Sequence, residues 1–314
     1  MNTQPVLRAN DITKRFENHQ ALKKVSLQIF KQNIFGLLGP NGAGKTTFIR
    51  IINQIIAPDE GYIEINGEKL REDHIYKIGY LPEERGLYKK MKVGEQAIYL
   101  AQLKGMPRHE AKQKLQEWFE KFDIMPWWNK KVEELSKGMA QKVQFITTVL
   151  HDPELLILDE PFSGFDPINT ELIKNEILEL RDRGTTIIFS THNMESVEEI
   201  CDNFALINQG EKILEGNVEE VKKQFADNTY LITLKTDDFN PEILSNPPFE
   251  IKKTQKINGQ TLIEIKIHPP AETNDLLQAI LPHYTIIKME EKIPSMREIF
   301  IQTVTQLQQK PVQI

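Results

Sequence analysis

The stretch Gly39-Pro40-Asn41-Gly42-Ala43-Gly44-Lys45-Thr46-Thr47 constrains this chain more than any other. Ile34-Phe35-Gly36-Leu37-Leu38 before it reads as a short buried strand, and Phe48-Ile49-Arg50-Ile51-Ile52 after it as the start of a helix. The spacing G-x-x-x-x-G-K-[ST], carried by Gly39, Gly44, Lys45 and Thr46, is that of a P-loop. Its glycines allow successive backbone N–H groups to turn inward around a phosphate chain. The helix start adds unpaired donors and the positive end of the helix dipole. Lys45 is placed to reach β- and γ-phosphates, and Thr46 to set its hydroxyl on Mg²⁺. A glycine-rich turn with a chance lysine is the plain alternative, and the flanking strand and helix argue against it.

A second signal lies far downstream. Leu155-Leu156-Ile157-Leu158 is a continuous apolar run, as expected of a central parallel strand. It ends in Asp159-Glu160-Pro161, at the carboxyl end where open α/β sheets bind ligands. Asp159 is suited to hold Mg²⁺ directly or through water, and Glu160, one residue on and facing elsewhere, to act as a general base or to orient the attacking water. Thr185-Thr186-Ile187-Ile188-Phe189 reads as another buried strand, delivering Ser190-Thr191-His192 to the same edge. There His192 is placed to contact a γ-phosphate or the attacking water, with a structural histidine as the alternative.

Length bounds the rest. The 314 residues are enough for two or three domains. Val6 to Ile12, Val25 to Ile29, Tyr62 to Ile65 (with the hairpin signal Asn66-Gly67) and Ile75 to Leu81 read as strands. Val93 to Leu103 and Arg108 to Phe122 are helical in period, the second placing Ala111, Leu115, Trp118, Phe119 and Phe122 on one face. Trp127-Trp128 either completes this local core or leaves one ring at a partner surface. After a hairpin at Asn208-Gln209-Gly210-Glu211 and a helix at Val218 to Phe225, the pattern restarts as a small α+β unit. Its elements are strands at Tyr230 to Leu234, Thr261 to Ile267 and Tyr284 to Lys288, and a helix at Thr273 to Leu281. Ser295 and Glu298 are spaced as a capping box for a last helix through Thr305, after which a tail from Gln306 to Pro311 is expected to fray. No catalytic cluster is visible there, and His268 and His283 read as structural or solvated.

The expected fold is therefore α/β: a P-loop NTPase core with an antiparallel β subdomain and a helical insertion, followed by a small α+β domain. The boundaries are 1–222 for the first domain, with the insertion at about 87–150, and 223–314 for the second. The formal charge of −6 gives no support to bulk electrostatic binding of nucleic acid. A single cysteine, Cys201, excludes an intrachain disulfide and is expected in the core. No apolar run reaches membrane-spanning length, and Met1 to Pro5 lacks the features of a signal peptide. The expectation is a cytoplasmic chain whose membrane role, if any, runs through a partner.

Two weaker signals complete the reading. Phe16 either stacks on an adenine ring or packs in the first sheet, while His19 reads as solvated. Leu135-Ser136-Lys137-Gly138-Met139 precedes a helix from Ala140 to Leu150, with Ser136 as a candidate cap and Lys137 and Gly138 able to face an anion.

Taken together, these motifs resemble the ATP-binding subunits of ABC transporters over residues 5 to 222. The resemblance implies that Gly39, Asn41, Gly42, Gly44, Lys45, Thr46 and Thr47 bind ATP, with Phe16 under the adenine. It implies Thr46, Asp159 and Glu83 at Mg²⁺, Glu160 as catalytic carboxylate and His192 as switch histidine. Ser136 and Gly138 would complete the ATP site of a second copy in a head-to-tail dimer, and Ser163-Gly164-Phe165-Asp166 resembles the D-loop. Two departures stand out: Lys137 where the family has glycine, and Glu83 where it has glutamine. The segment Gly79-Tyr80-Leu81-Pro82-Glu83-Glu84-Arg85-Gly86-Leu87-Tyr88 and the last domain resemble a bacterial exporter branch that includes sodium-extrusion and drug-export ATPases. The implied partners are that second copy and an integral-membrane transporter subunit, with no nucleic acid expected. The implied location is the cytoplasmic face of the cell membrane. Alternatives of other classes are a soluble ABC-type ATPase acting on DNA or ribosomes and a regulatory subunit with little turnover.

Overall fold

The computed structural model describes residues 4–84, 86–244 and 247–309. The expectations at Met1 to Thr3, at Arg85 and at Lys310-Pro311 lie outside the described residues. The chain divides into two compact units, Met1–Val218 and Glu219–Ile314.

The first unit opens with β1 (Pro5–Phe16) and β2 (His19–Phe30), paired antiparallel up to Phe16 and His19. Both strands run longer than the alternation predicts. The charged end of β1 is fixed by ion pairs, Lys14 with Asp59 at 2.9 Å and Arg15 with Glu60 at 2.7 Å, so polar residues there still form ladder. β3 (Ile34–Leu38) is buried throughout and leads through the glycine loop into α1 (Lys45–Ile52). β4 (Glu60–Ile65) and β5 (Glu68–Lys69) turn at Asn66-Gly67, both with positive φ, and complete an antiparallel sheet of order β2-β1-β4-β5. The next strand, β6, is Ile78–Leu81 rather than Ile75 to Leu81. Glu72–Lys77 instead forms a tight 3-10 turn, because the His74 ring accepts the Arg71 N–H at 2.9 Å.

The helical segment follows as α2 (Val93–Leu103), α3 (Arg108–Lys121) and α4 (Lys137–Val149). Its core is aromatic. Trp118 contacts Phe122 and Phe145, and Trp128 sits edge-on to Phe119 at 5.3 Å. Gly94 in α2 leaves the room that Trp128 fills, since a Cβ there would stand 2.6 Å from the indole. Both Trp127 and Trp128 are half-buried, and Trp128 belongs to this local packing.

β7 (Leu155–Asp159), α5 (Pro167–Asp182), β8 (Thr186–Thr191), α6 (Met194–Ile200), β9 (Asn203–Asn208) and β10 (Glu211–Asn217) complete the unit. The second sheet has the order β10-β9-β3-β8-β7-β6, parallel except for β10. Every residue of β3, β7 and β8 is buried, as continuous apolar runs flanked by helices require. One core joins the two sheets, with Leu7, Ile12 and Leu27 from the first, Phe35, Ile157 and Ile188 from the second, and Phe48 and Ile52 of α1 between. Cys201 is buried in this unit.

α7 (Val218–Gln224) spans the division between the units. The second unit is an antiparallel sheet of order β12-β13-β11-β14, made of β11 (Thr229–Leu234), β12 (Phe249–Ile257), β13 (Gln260–Ile267) and β14 (Ile286–Glu291). Its core gathers Ile232, Leu234, Ile263 and Ile265 against Leu276 and Ile280 of α8 (Thr273–Ile280). β12 was not expected from the sequence, because its run Glu250-Ile251-Lys252-Lys253-Thr254-Gln255-Lys256 is that of a charged, exposed edge. α9 (Met296–Gln309) begins with the expected capping box: Glu298 N–H donates to Ser295 Oγ at 3.2 Å, and Ser295 N–H to Glu298 Oε2 at 2.8 Å. His268 pairs with Glu250 at 2.9 Å. Among the described residues, no helix is long and apolar enough to cross a membrane.

Candidate functional site

A cleft of about 400 Å³ opens at the carboxyl ends of β3 and β7. It is lined by Asn41, Gly42, Gly44, Lys45, Thr46 and Thr47 of the loop and α1, by Glu83, Asp159 and Glu160 from the sheet edge, and by Phe16, His19 and Ala21 at its rim. Gly39 is buried behind the loop, where a Cβ would collide with the carbonyl of Ile207. Gly44, at φ +114°, is the residue before α1, and a Cβ there would lie 2.5 Å from the carbonyl of Ala21. Among the described residues no side chain caps α1, and its first turn holds no acid, so its N–H donors face the cleft free of local competition. Lys45 Nζ donates to Gly39 O at 2.6 Å and Pro40 O at 3.3 Å, bracing the loop across its own mouth. Burial holds the Lys45 ammonium below its ordinary pKa, partly offset by Glu160, Asp159 and Glu83.

The carboxylates are held in different ways. Asp159 is 2% exposed; its Oδ1 accepts from Ser190 Oγ at 2.8 Å and its Oδ2 from Thr46 Oγ1 at 3.2 Å. Burial pushes its pKa up, the two hydrogen bonds pull it down, and Glu160 and Glu83 add to the rise. A buried hydroxyl–carboxylate pair with further carboxylates beside it favours a hard cation, and its oxygen donors suit Mg²⁺. Among the described residues no three His, Cys, Asp or Glu side chains form a full protein cage. Burial, together with Asp159, also drives the nearby Tyr80 phenol up to about 12.

Glu160 leaves the strand line through a left-handed backbone conformation, φ +51°. Its N–H donates to Ser190 O at 2.9 Å, and its side chain turns toward the end of β8. There Oε1 accepts from His192 N at 2.9 Å and meets His192 Nδ1 at 2.6 Å, while Oε2 accepts from Thr191 Oγ1 at 3.0 Å. Within one copy His192 therefore engages Glu160 itself. At the rim Phe16 is 46% exposed, with Lys14 Nζ 5.6 Å from its ring, so the packed alternative for Phe16 does not hold. His19, read as merely solvated, lines the cleft beside it. Burial inside the sheet is the signal that sequence alone could not supply for Ser190, Thr191 and Ala21.

Ser136 and Gly138 do not line the cleft. Ser136 caps α4, its Oγ accepting from Met139 N at 3.3 Å. Lys137 lies over Gly164, where a Cβ would collide with its side chain, and Gln141 donates to the carbonyl of Ser163. The start of α4 and the 163–166 turn are thus bound to each other. Gly138 has no positive φ, and a Cβ there would meet nothing within 4 Å. Nothing among the described residues requires glycine at that helical position.

The comparisons with known proteins divide along the two units. The ABC transporter family model matches residues 22–163, and the model for the C-terminal domain of DrrA1-3-like ATP-binding proteins matches residues 216–304. An uncharacterized ABC transporter ATP-binding protein of Bacillus subtilis, YhaQ, is 42% identical over 95% of this chain and 98% of its own length. The linearmycin resistance ATP-binding protein LnrL of the same organism is 30% identical over 94% and 97%. A solved ATP-binding subunit of an ABC transporter superposes with a TM-score of 0.65 at 29% identity, covering 70% of this chain and 93% of that one.

Proposed function

The chain belongs to the ATP-binding subunits of ABC transporters, and from that premise we propose that it hydrolyses ATP in a site completed by a second copy and drives export through a separate membrane subunit. The observation that carries the reading is the meeting of Lys45 and Thr46 with Asp159, across 113 residues of chain, and with Glu160 around one cleft.

In this reading the P-loop amides and Lys45 bind the phosphates, and Phe16 stacks on the base. Thr46, Asp159 and Glu83 would hold Mg²⁺, which when bound neutralises charge on the β- and γ-phosphates. Glu160 takes a proton from the water whose oxygen attacks the γ-phosphorus as the bond to the ADP oxygen breaks. His192 holds Glu160 in one copy and turns to the phosphate when the pair closes. Ser136 and Gly138 meet the γ-phosphate of the facing copy. A glycine at N2 of α4, with open space and ordinary φ, costs about 0.5–1 kcal/mol relative to alanine. The close approach of a phosphate from outside the chain supplies a reason for it.

Export is supported by LnrL, named for linearmycin resistance and similar over both units. The location follows from the partner: a chain held at the cytoplasmic face by its membrane subunit. The test is E160Q in the full-length chain. It should bind ATP, lose phosphate release and accumulate as a dimer in ATP on size-exclusion chromatography with light scattering; turnover at the wild-type rate would overturn the assignment of Glu160.

A further inference from the structure

Glu160 is tied down on almost every side. An ionised carboxylate offers about four lone-pair sites, two on each oxygen. Oε1 has both filled, by the main-chain N–H of His192 at 2.9 Å and by the ring Nδ1 at 2.6 Å, which carries its hydrogen because an ionised carboxylate can only accept. Oε2 has one filled, by Thr191 Oγ1 at 3.0 Å. Among the described residues, and with His192 in place, one acceptor site is left on the carboxylate, and it is on Oε2.

The Thr191 hydroxyl is itself oriented. Asn193 N–H donates to Thr191 Oγ1 at 3.0 Å, occupying a lone pair and leaving the hydroxyl hydrogen for Glu160. Thr191 is 3% exposed at the last position of β8, so its rotamer is fixed by packing. The strand register pairs Asp159 with Ser190, which brings Glu160 and Thr191 to the same level just beyond.

We propose that Thr191 is a positioning residue for ATP hydrolysis, holding the Glu160 carboxylate so that Oε2 presents its free lone pair to the attacking water. The inference rests on the reading of Glu160 as general base. His192, which is 57% exposed at its side chain, is free to leave toward a phosphate; Thr191 is not, and keeps the carboxylate aimed when His192 turns away. The proton leaves water for Oε2 while the γ-phosphoryl group passes from the ADP oxygen to the water oxygen.

The experiment is steady-state ATP hydrolysis by the full-length chain as wild type, T191V, T191S and E160Q, with binding of a fluorescent ATP analogue measured on each. T191V keeps the shape and removes the donor. Its kcat should fall about 10- to 100-fold, the loss expected for a hydrogen bond to an ionised group, while KM and analogue binding stay within about twofold. T191S should recover most of the rate, and T191V combined with E160Q should be no slower than E160Q alone. If T191V proves insoluble, T191A, which also lacks the hydroxyl, carries the same test. Wild-type kcat in T191V with E160Q inactive would overturn the inference and leave the base in place. Equal loss in T191V and T191S would also overturn it, because the methyl rather than the hydroxyl would then matter. Normal turnover in E160Q would instead remove the base on which the inference rests.

Discussion

His151 makes the first unit sensitive to mild acid. Its Nε2 lies 3.3 Å from the carbonyl of Ile78, and its Nδ1 is buried without a hydrogen-bond partner among the described residues. Lys104 shares the same carbonyl, with Nζ 2.8 Å from Ile78 O, so a second positive charge would be added beside a first. Burial, reinforced by Lys104, lowers the His151 pKa from 6.5 to about 4. The unfolded chain binds a proton near 6.5 and the folded chain only near 4. Between those values the unfolded state holds more protons, so stability is full above about pH 6.5 and is lost as pH falls toward 4. At 1.36 kcal/mol per pH unit the full loss is about 3 kcal/mol, and about 2 kcal/mol of it falls between pH 7 and pH 5. H151Q keeps an N–H for Ile78 O and cannot titrate. The three tryptophans, Trp118, Trp127 and Trp128, all lie in the helical segment of the unit that holds His151, so urea unfolding followed by their fluorescence reads the right transition. Wild type should lose about 2 kcal/mol more than H151Q on going from pH 7 to pH 5. Equal losses in the two proteins would refute the reasoning, since every other titrating group is common to both.

Gly138→Ala should stabilise α4 by about 0.5–1 kcal/mol in thermal unfolding, yet weaken the ATP-driven dimer of the E160Q background on size-exclusion chromatography; an unchanged dimer would mean that nothing approaches Gly138. Phe16→Ala should weaken binding of a fluorescent ATP analogue by about 1–3 kcal/mol, and Phe16→Trp should retain it, whereas equal affinity in all three would remove Phe16 from the base site. Gly44→Ala places a Cβ against the Ala21 carbonyl at a φ of +114°, so the analogue titration should show no saturable binding while circular dichroism still reports the folded sheets.

Much of the first unit was legible because its signals are local. β3 and β7 announce themselves as unbroken apolar runs, and the P-loop, the Ser136 cap and the Ser295 capping box each sit within a few residues. What escaped depends on distant neighbours. Thr191 meets Glu160 only because β7 and β8 are adjacent in register, which neither segment specifies alone. His19 looks like any polar turn residue until β1 and β2 fold its turn against the cleft. β12 was hidden by its charge, since edge strands are kept polar against unwanted pairing. The Asn258-Gly259 turn before β13, with both residues at positive φ, was the signal that could have found it. At Ile75 to Lys77 the apolar spacing fitted a strand, and the His74 ring closed a turn instead.

The hairpin between β9 and β10 bears on the cleft in a further way. The amide of Gly210 donates to Ala43 of the phosphate loop at 2.9 Å, and its carbonyl accepts from Lys23 of β2 at 2.8 Å. One residue of an otherwise remote turn therefore links β2 to the phosphate loop. The tie joins β2, which carries His19 and Ala21 at the rim of the cleft, to the phosphate loop through a turn that itself lines no part of the cleft.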